Sequence, residues 1–256
     1  MIKTINIASD KKVTLISDAH LGAPNPASSL VREKKLVSFL DSIKAETSHL
    51  FLVGDIFDFW FEYKRVVPRG YIRILSKLQE LSEKGIQLYF FCGNHDMWTF
   101  DYLEKEIGMQ IFRKPQDFII NEKKYLIGHG DGLGKGDFRY KMLKAFFASR
   151  LCQWLFARLH PNFAFWLAQG SSNSSRKKHE KTDYMFKGEE NERLFQYAKE
   201  VAKTADYDYY IFGHRHLPLE MKLNDKAVYF NIGDWINQFS YIEIQGQEPV
   251  LKKEKG

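Results

Sequence analysis

Five times in this chain an apolar run stops at a small residue or a tight turn and hands the backbone to aspartate, asparagine or histidine. Val13-Thr-Leu-Ile-Ser17 leads into Asp18-Ala-His20, and Leu50-Phe-Leu-Val53 into Gly54-Asp55. Gln87-Leu-Tyr-Phe-Phe-Cys92 delivers Gly93-Asn94-His95-Asp96, and Lys124-Tyr-Leu-Ile127 delivers Gly128-His129-Gly130-Asp131. Last, Asp208-Tyr-Tyr-Ile-Phe212 ends in Gly213-His214-Arg215-His216. Short apolar runs bounded by turn residues read as buried strands, and α/β folds place their chemistry at the carboxyl ends of such strands. One Gly-Asp after a strand is ordinary turn chemistry. Five such strand ends make a convergent polar site the stronger reading.

The stretches between the runs fix the fold class. Residues 29–46 carry Leu30, Leu36, Val37, Leu40 and Ile43 at helical spacing, and residues 70–84 form a second amphipathic helix stopped by Gly85. Strand, helix, strand, helix, strand predicts an α/β chain with a largely parallel sheet. Phe118-Ile-Ile120 and Lys124–Ile127 suggest a hairpin around Asn121-Glu122; a helix is expected at 189–203 and strands at 219–223, 227–232 and 239–244. Residues 132–190 break this alternation. Two aromatic-rich helical stretches, 139–159 and 162–169, precede Gly170-Ser-Ser-Asn-Ser-Ser175 and the basic run Arg176-Lys177-Lys178. The segment is expected to be a helical lid inserted in one domain spanning 1–256, with 171–181 either a solvated linker or a contact to substrate.

Charge narrows the partners. A net charge of +6 and a pI near 9.0 point to phosphates, nucleic acid or an anionic membrane surface. Outside the lid no platform of alternating aromatic and basic residues is evident, so nucleic acid is not expected, and no obligate protein partner is evident. Cys92 and Cys152 form no ligand or disulfide pattern, which suits a reducing cytoplasm. Residues 1–18 lack the apolar core of a signal peptide, and the most apolar segment, 143–168, is broken by Lys144, Arg150, Arg158, His160 and Pro161, so no membrane span is expected.

Imidazole nitrogens mixed with carboxylate and amide oxygens, and no thiolate, suit Mn²⁺, Fe²⁺, Zn²⁺ or Co²⁺ better than Mg²⁺ or Ca²⁺. The donors are too many for one tetrahedral ion and natural for two, which need an anionic bridge between them. In order, Asp-x-His, Gly-Asp-x-x-Asp, Gly-Asn-His-Asp, Gly-His-Gly-Asp and Gly-His-x-His resemble the five motifs of the calcineurin-like metallophosphoesterases, over residues 18 to 216. The resemblance implies a sandwich of two mixed β-sheets flanked by helices, with a dinuclear centre at the strand ends. It implies that Asp18, His20 and His216 hold one metal, that Asn94, His129 and His214 hold the second, and that Asp55 bridges them. Mn²⁺ is the expected ion. His95, not needed as a ligand, would donate a proton to the leaving group or stabilise charge there, oriented by Asp58 or Asp96.

Within that family the chain is most similar to the lipid A pathway group that cleaves the pyrophosphate of UDP-2,3-diacylglucosamine to UMP and the lipid monophosphate. Ser17-Asp-Ala-His-Leu-Gly22, Gly54-Asp-Ile-Phe-Asp-Phe-Trp60 and the length and character of the insertion carry the likeness, including Asp137 and Tyr140 at that group's spacing beyond His129. The substrate implied is a UDP-linked diacylated glucosamine lipid, met at the cytoplasmic face of an anionic inner membrane with which the protein associates peripherally. Asp137, Tyr140, Asn173, Arg176 and Lys177, with Asn94, are the implied substrate contacts. The lid aromatics would supply acyl-binding area, and Lys141, Lys144, Arg150 and Arg158 between them would meet anionic headgroups. One position departs: His95 stands where the best-known branch of that group has arginine. The competing readings are a nuclease or nucleotide phosphodiesterase, and a non-catalytic scaffold, the latter disfavoured because all seven ligands are in place.

Overall fold

Alternation along Thr47–Val53 sets the layering: Leu50 and Leu52 join one buried cluster while Phe51 and Val53 join another. A strand apolar on both faces must be covered on both, which calls for more than one layer above a single sheet. The structure, a computed structural model, describes residues 2–136, 138–179 and 184–254, with side chains throughout these except at 171–179.

The chain runs β1 (Lys3–Ile5), β2 (Lys12–Ile16), α1 (Pro26–Ile43), β3 (Thr47–Val53), α2 (Ile72–Glu83) and β4 (Gln87–Phe91). Then come α3 (Tyr102–Ile107), β5 (Gln110–Phe112), β6 (Gln116–Ile120) and β7 (Lys123–Gly128). Three helices follow, α4 (Phe138–Ala148), α5 (Arg150–Phe156) and α6 (Pro161–His179), and a 3₁₀ turn (Glu189–Asn191) precedes α7 (Arg193–Val201). The chain closes with β8 (Tyr209–Phe212), β9 (Leu219–Lys222), β10 (Val228–Asn231), β11 (Ser240–Gln245) and β12 (Glu248–Lys253).

Two mixed six-stranded sheets result, in the orders β12-β11-β2-β3-β4-β5 and β1-β6-β7-β8-β10-β9. Val13, Leu15, Phe51 and Val53 of the first meet Phe118, Tyr125, Ile127 and Ile211 of the second in the central core. The first sheet's other face carries Leu50, Leu52 and Phe90 against α1, α2 and α3, and the second's carries Tyr210 and Phe212 against Leu194 and Phe195 of α7. The parallel expectation holds for β2 through β5, whereas β11 and β12 extend that sheet antiparallel.

This pairing positions the site. Because β2, β3 and β4 are mutually parallel, their carboxyl ends share one edge, and β7, β8 and β10 do the same in the other sheet. Asn121 and Glu122 turn the β6–β7 hairpin as expected, with φ of 44° and 70°, and Asn25 caps α1 by accepting from the Ser28 amide at 3.0 Å with Pro26 in the first turn. Two features depart from the sequence reading. The three-residue edge strands β1 and β5 carry too little pattern to be read from sequence. Of the two alternatives for 171–181, the linker does not hold over the described part, because α6 runs on through His179. Ala164 is fully buried and Phe165 packs edge-on against Phe59, and extending an anchored helix through weak helix formers costs only tenths of a kcal/mol per residue, about 1 at a glycine. No helix among the described residues is long and apolar enough to cross a membrane.

Candidate metal centre

Nine non-glycine residues among those described have positive φ, and five are strand-end residues: Asp18 (54°), His20 (42°), Asp55 (52°), His214 (67°) and His216 (55°). Left-handed backbone is unfavourable for such residues and persists where surrounding structure holds it for a purpose. Here it turns each side chain from its strand end into a common space. Neighbouring glycines leave room: a Cβ at Gly54 would lie 2.4 Å from His129 Nδ1, and one at Gly213 2.0 Å from Ser17 Oγ.

Three overlapping groups place potential ligand atoms within 4.8 Å of one another: Asp18, His20 and His216; His20, Asp55 and His95; and Asp55, His129 and His214. The first and third each draw on both sheets. Asp18 Oδ1 lies 3.2 Å from His216 Nε2 and 3.7 Å from His20 Nε2, while its Oδ2 is occupied by the Ser17 hydroxyl and the His214 amide, at 2.9 Å from the latter. Asp55 Oδ2 lies 3.2 Å from His129 Nε2 and 3.8 Å from His20 Nε2, between the two ends of the cluster. Its Oδ1 accepts from the His95 amide at 2.8 Å, so Oδ2 is the oxygen left to face both sides.

The donors fit cations. Among the described residues Asp18 Oδ1, Asn94 Oδ1 and His129 Nε2 are buried without a hydrogen-bond partner, and a buried polar atom left unpaired is costly unless it serves a ligand. The far nitrogens are held in the way metal-binding histidines usually are. His129 Nδ1 donates to the Val53 carbonyl at 2.9 Å, and His20 Nδ1 faces Asp58 Oδ1 at 3.3 Å. His216 Nδ1 faces Asp234 Oδ2 at 3.5 Å. Asp234 was missed in the sequence, although Asn231-Ile-Gly-Asp234 after β10 repeats the strand-glycine-aspartate grammar. Its Oδ1 is anchored by the amides of Ile236, Asn237 and Gln238 at 3.1, 2.9 and 2.8 Å.

The charges are arranged for cations too. Burial alone would lift the Asp18 carboxyl, but His216 and His129 hold it well below the usual carboxylate range. Burial is likewise outweighed at Asp55, chiefly by His129 and His95, and its carboxyl is lowered. Burial works against the protonated imidazoles, yet Asp55 and Asp18 raise His129 well above its ordinary value, and Asp18 raises His216 to about 10. Burial and the neighbouring His129 push His214 down to about 4. At pH 8 the metal-free cluster therefore holds a proton on His216, and its charges favour one on His129, that ligation must displace. Adding Mn²⁺ to metal-free protein in weak buffer at pH 8 is expected to release about one to two protons per chain. An indicator-dye titration reads this, and metal affinity should weaken as pH falls. Uptake without acidification would mean that these imidazoles stay out of the site.

Around the cluster, Asp58 stands between two histidines. Its carbonyl accepts from His95 Nδ1 at 2.8 Å, and its Oδ1 lies 3.4 Å from that same nitrogen. Asp96, the alternative to Asp58 for this orienting role, is turned onto backbone amides, those of Ile56 and Gly93 at 2.8 and 2.7 Å, tying the Asp55 loop to the Asn94 loop. Tyr140 donates to Asp131 Oδ2 at 3.0 Å and also lines a cavity beside the cluster. Lys144 pairs with Asp131 at 2.6 Å and Lys141 donates to the Gly134 carbonyl, so neither waits for a headgroup. Asp137 lies outside the described residues, as do the side chains of Asn173, Arg176 and Lys177.

The cavity holds about 460 Å³ and opens from Asp58, Asn94 and His95. Phe59, Met97, Trp98, Leu143, Phe147, Phe156 and Leu167 make the rest of its wall mostly apolar, and the lid helices supply the last four. Trp98 fixes the seam, donating to the Phe147 carbonyl at 2.8 Å and packing on Phe156 with ring centroids 4.5 Å apart.

The chain is similar in sequence to known proteins. Residues 11–218 match the calcineurin-like phosphoesterase family. A UDP-2,3-diacylglucosamine hydrolase of Porphyromonas gingivalis is 38% identical over 94% of this chain and 97% of its own. Those of Histophilus somni and Aliivibrio fischeri are each 26% identical, over 91% and 95% of this chain and 96% and 98% of theirs. With the family's match covering most of the chain and the five strand ends from Asp18 to His216, the chain belongs to the calcineurin-like phosphoesterases.

Proposed function

We propose that this chain is a dinuclear-metal hydrolase that cleaves the pyrophosphate of UDP-2,3-diacylglucosamine, releasing UMP and 2,3-diacylglucosamine 1-phosphate (lipid X) in lipid A biosynthesis. The observation that carries the reading is the 460 Å³ apolar cavity that opens directly onto Asn94 and His95. A hydrolase of small phosphodiesters has no use for so much apolar wall beside its polar centre, whereas a diacylated substrate does. Relatives that bear this activity in their name, similar over nearly their whole length, support it.

In this reading Asp18, His20 and His216 would hold one ion, Asn94, His129 and His214 the other, and Asp55 would serve both. Mn²⁺ is the expected metal, with Fe, Zn or Co also suited to the donor set. Two such ions supply positive charge that draws in the pyrophosphate and a water acidic enough to serve as nucleophile. The chain's own residues do the rest. Asp58 and Asp234 keep His20 and His216 turned with Nε2 inward. His95 gives its Nδ1–H to the Asp58 carbonyl, and burial lowers its pKa, so the ring is neutral near pH 7 and carries a lone pair at Nε2. A neutral His95 thus accepts a hydrogen bond at Nε2 rather than donating a proton. The leaving group, a phosphate monoester, has little need of one. His95→Ala is expected to keep both metals and lower kcat about 10²-fold. Because His95 acts neutral, its advantage should be full above pH 6.5 and shrink as pH falls. Metal loss in this variant would give His95 a ligand's role instead.

The chain is then one domain, with 132–190 inserted as a lid whose Asp137, Tyr140, Asn173, Arg176 and Lys177 meet the substrate. Phe138, Phe146, Leu151, Trp154, Phe163 and Trp166 are each more than half exposed on that lid, with Arg150 and Arg158 among them. Such a surface suits peripheral attachment to the cytoplasmic face of the inner membrane. The test is a hydrolysis panel with Mn²⁺ followed by phosphorus NMR on UDP-2,3-diacylglucosamine, an aryl phosphodiester and single-stranded DNA. UMP should appear from the lipid at enzyme-like rates. Vigorous cutting of DNA with none of the lipid would sink the proposal.

A further inference from the structure

Between β7 and α4 the chain passes through His129-Gly-Asp-Gly-Leu-Gly134, and α4 reaches back over this turn. The Asp131 side chain is only 3% exposed, with Lys144 Nζ 2.6 Å from Oδ2 and the Tyr140 hydroxyl donating to that oxygen at 3.0 Å. Lys144 Nζ also donates to the Asp131 carbonyl at 3.0 Å, and Lys141 Nζ to the Gly134 carbonyl. Gly132, at φ +74°, lies under both anchors: a Cβ there would be 3.5 Å from Tyr140 Cε1 and from Lys144 Cδ. A carboxylate buried to this degree depends on its charged partner.

Tyr140 and Lys144 are four residues apart, so they share one face of α4. Two anchors on one face fix the rotation of a helix as well as its place. Leu143 and Phe147 stand on that same face, and all four residues line the cavity opposite Asn94 and His95. Slipping the helix by one residue would turn this face about 100° away. The contact that holds Asp131 is therefore the one that aims Leu143 and Phe147 inward.

We propose that Asp131 is a positioning residue, seating α4 through Tyr140 and Lys144 and so shaping the cavity for the acyl part of the substrate. The assignment of acyl chains to the cavity rests on the reaction proposed above. The strand that delivers His129 thus also fixes, two residues later, the wall the lipid meets.

The test uses the full metal-loaded chain with Asp131→Ala and Asp131→Asn. Asp131→Ala should raise KM for UDP-2,3-diacylglucosamine about tenfold or more, with kcat within about twofold. Its kinetics on bis(p-nitrophenyl) phosphate and its metal content should stay those of the wild type. Asp131→Asn keeps an acceptor for Tyr140 but not the countercharge for Lys144, so its KM should fall between; it also carries the test if the alanine variant does not fold. Hydrogen exchange gives a readout free of any substrate: amides of 139–148 should exchange faster in Asp131→Ala, with those of β8 unchanged. Unchanged exchange in α4, or faster exchange with unchanged KM, overturns the proposal. So does lost metal or an equal loss on both substrates, which would place Asp131 in the metal loop. Should the wild type leave the lipid intact, the reaction assignment falls, while the exchange comparison still decides whether Asp131 seats α4.

Discussion

Asp55→Ala is expected to strip both metals together and to lower turnover about 10⁴-fold or more. Asp55 Oδ2 is the atom that looks both ways, 3.2 Å from His129 Nε2 and 3.8 Å from His20 Nε2, while Oδ1 fixes the His95 amide. Without it, four imidazoles, the Asn94 amide and a single ligand carboxylate, Asp18, would face two divalent ions whose mutual repulsion nothing bridges. Each ion contributes several kcal/mol of charge stabilisation, and every 1.36 kcal/mol is tenfold in rate, so losing both removes at least four decades. Elemental analysis of the purified variant should find neither ion, whereas His20→Ala should lose mainly one. Two ions retained in Asp55→Ala would show that the bridge is made elsewhere.

Gly93→Ala comes second. A Cβ at this position would lie 2.2 Å from Asp55 Oδ1, 2.7 Å from Asp55 Cγ and 2.7 Å from the Asp55 backbone nitrogen. None of these is the loose end of a flexible side chain, so the Asp55 loop must move. Displacement by about 1 Å at a catalytic centre is worth about 10²-fold, and forcing an atom into packed structure costs about 1–3 kcal/mol. The expected outcome is a fall in activity of that order, lowered metal occupancy and a lowered Tm. Gly170→Ala is the control: nothing lies within 4 Å of its would-be Cβ, and a helical glycine gives up about 0.5–1 kcal/mol to alanine, so that variant should be neutral or slightly stabilised. Wild-type metal content and turnover in Gly93→Ala would mean that the loop yields at little expense.

Much of this was legible in the sequence because the site is written at strand ends. Asp18, Asp55, Asn94, His129 and His214 each follow an apolar run that stops abruptly; parallel pairing brings such ends together within each sheet, and the packing of the two sheets brings the two edges together. Asp234 carried the same signal and escaped notice because its strand lies beyond the fifth motif. What pattern could not give was direction. Asp96 looks like a catalytic neighbour of His95 in the sequence, yet its carboxylate is buried on backbone amides. Lys141 and Lys144 look like headgroup ligands, yet α4 curls their ammonium groups back onto the turn before it. β1 and β5 exist because β6 and β4 offer them a partner, a fact of tertiary pairing rather than of local composition. The α6 misreading has the opposite cause: serine and asparagine prefer turns, but a helix already anchored upstream carries through them.

The clusters that recruit ligands from both sheets have a bearing on how much of the protein a cell keeps. Ions bound there would join two layers that otherwise meet through apolar packing and a few hydrogen bonds such as that from His129 to the Val53 carbonyl, and they would do so only in the folded chain. Binding confined to the native state stabilises it by about 2.7 kcal/mol per site when free metal stands a hundredfold above Kd. That margin is a large part of what an ordinary protein has, and degradation follows the unfolded fraction. A shortage of metal would then thin the population of molecules as well as silence those that remain, and recovery would wait on new synthesis rather than on reloading alone.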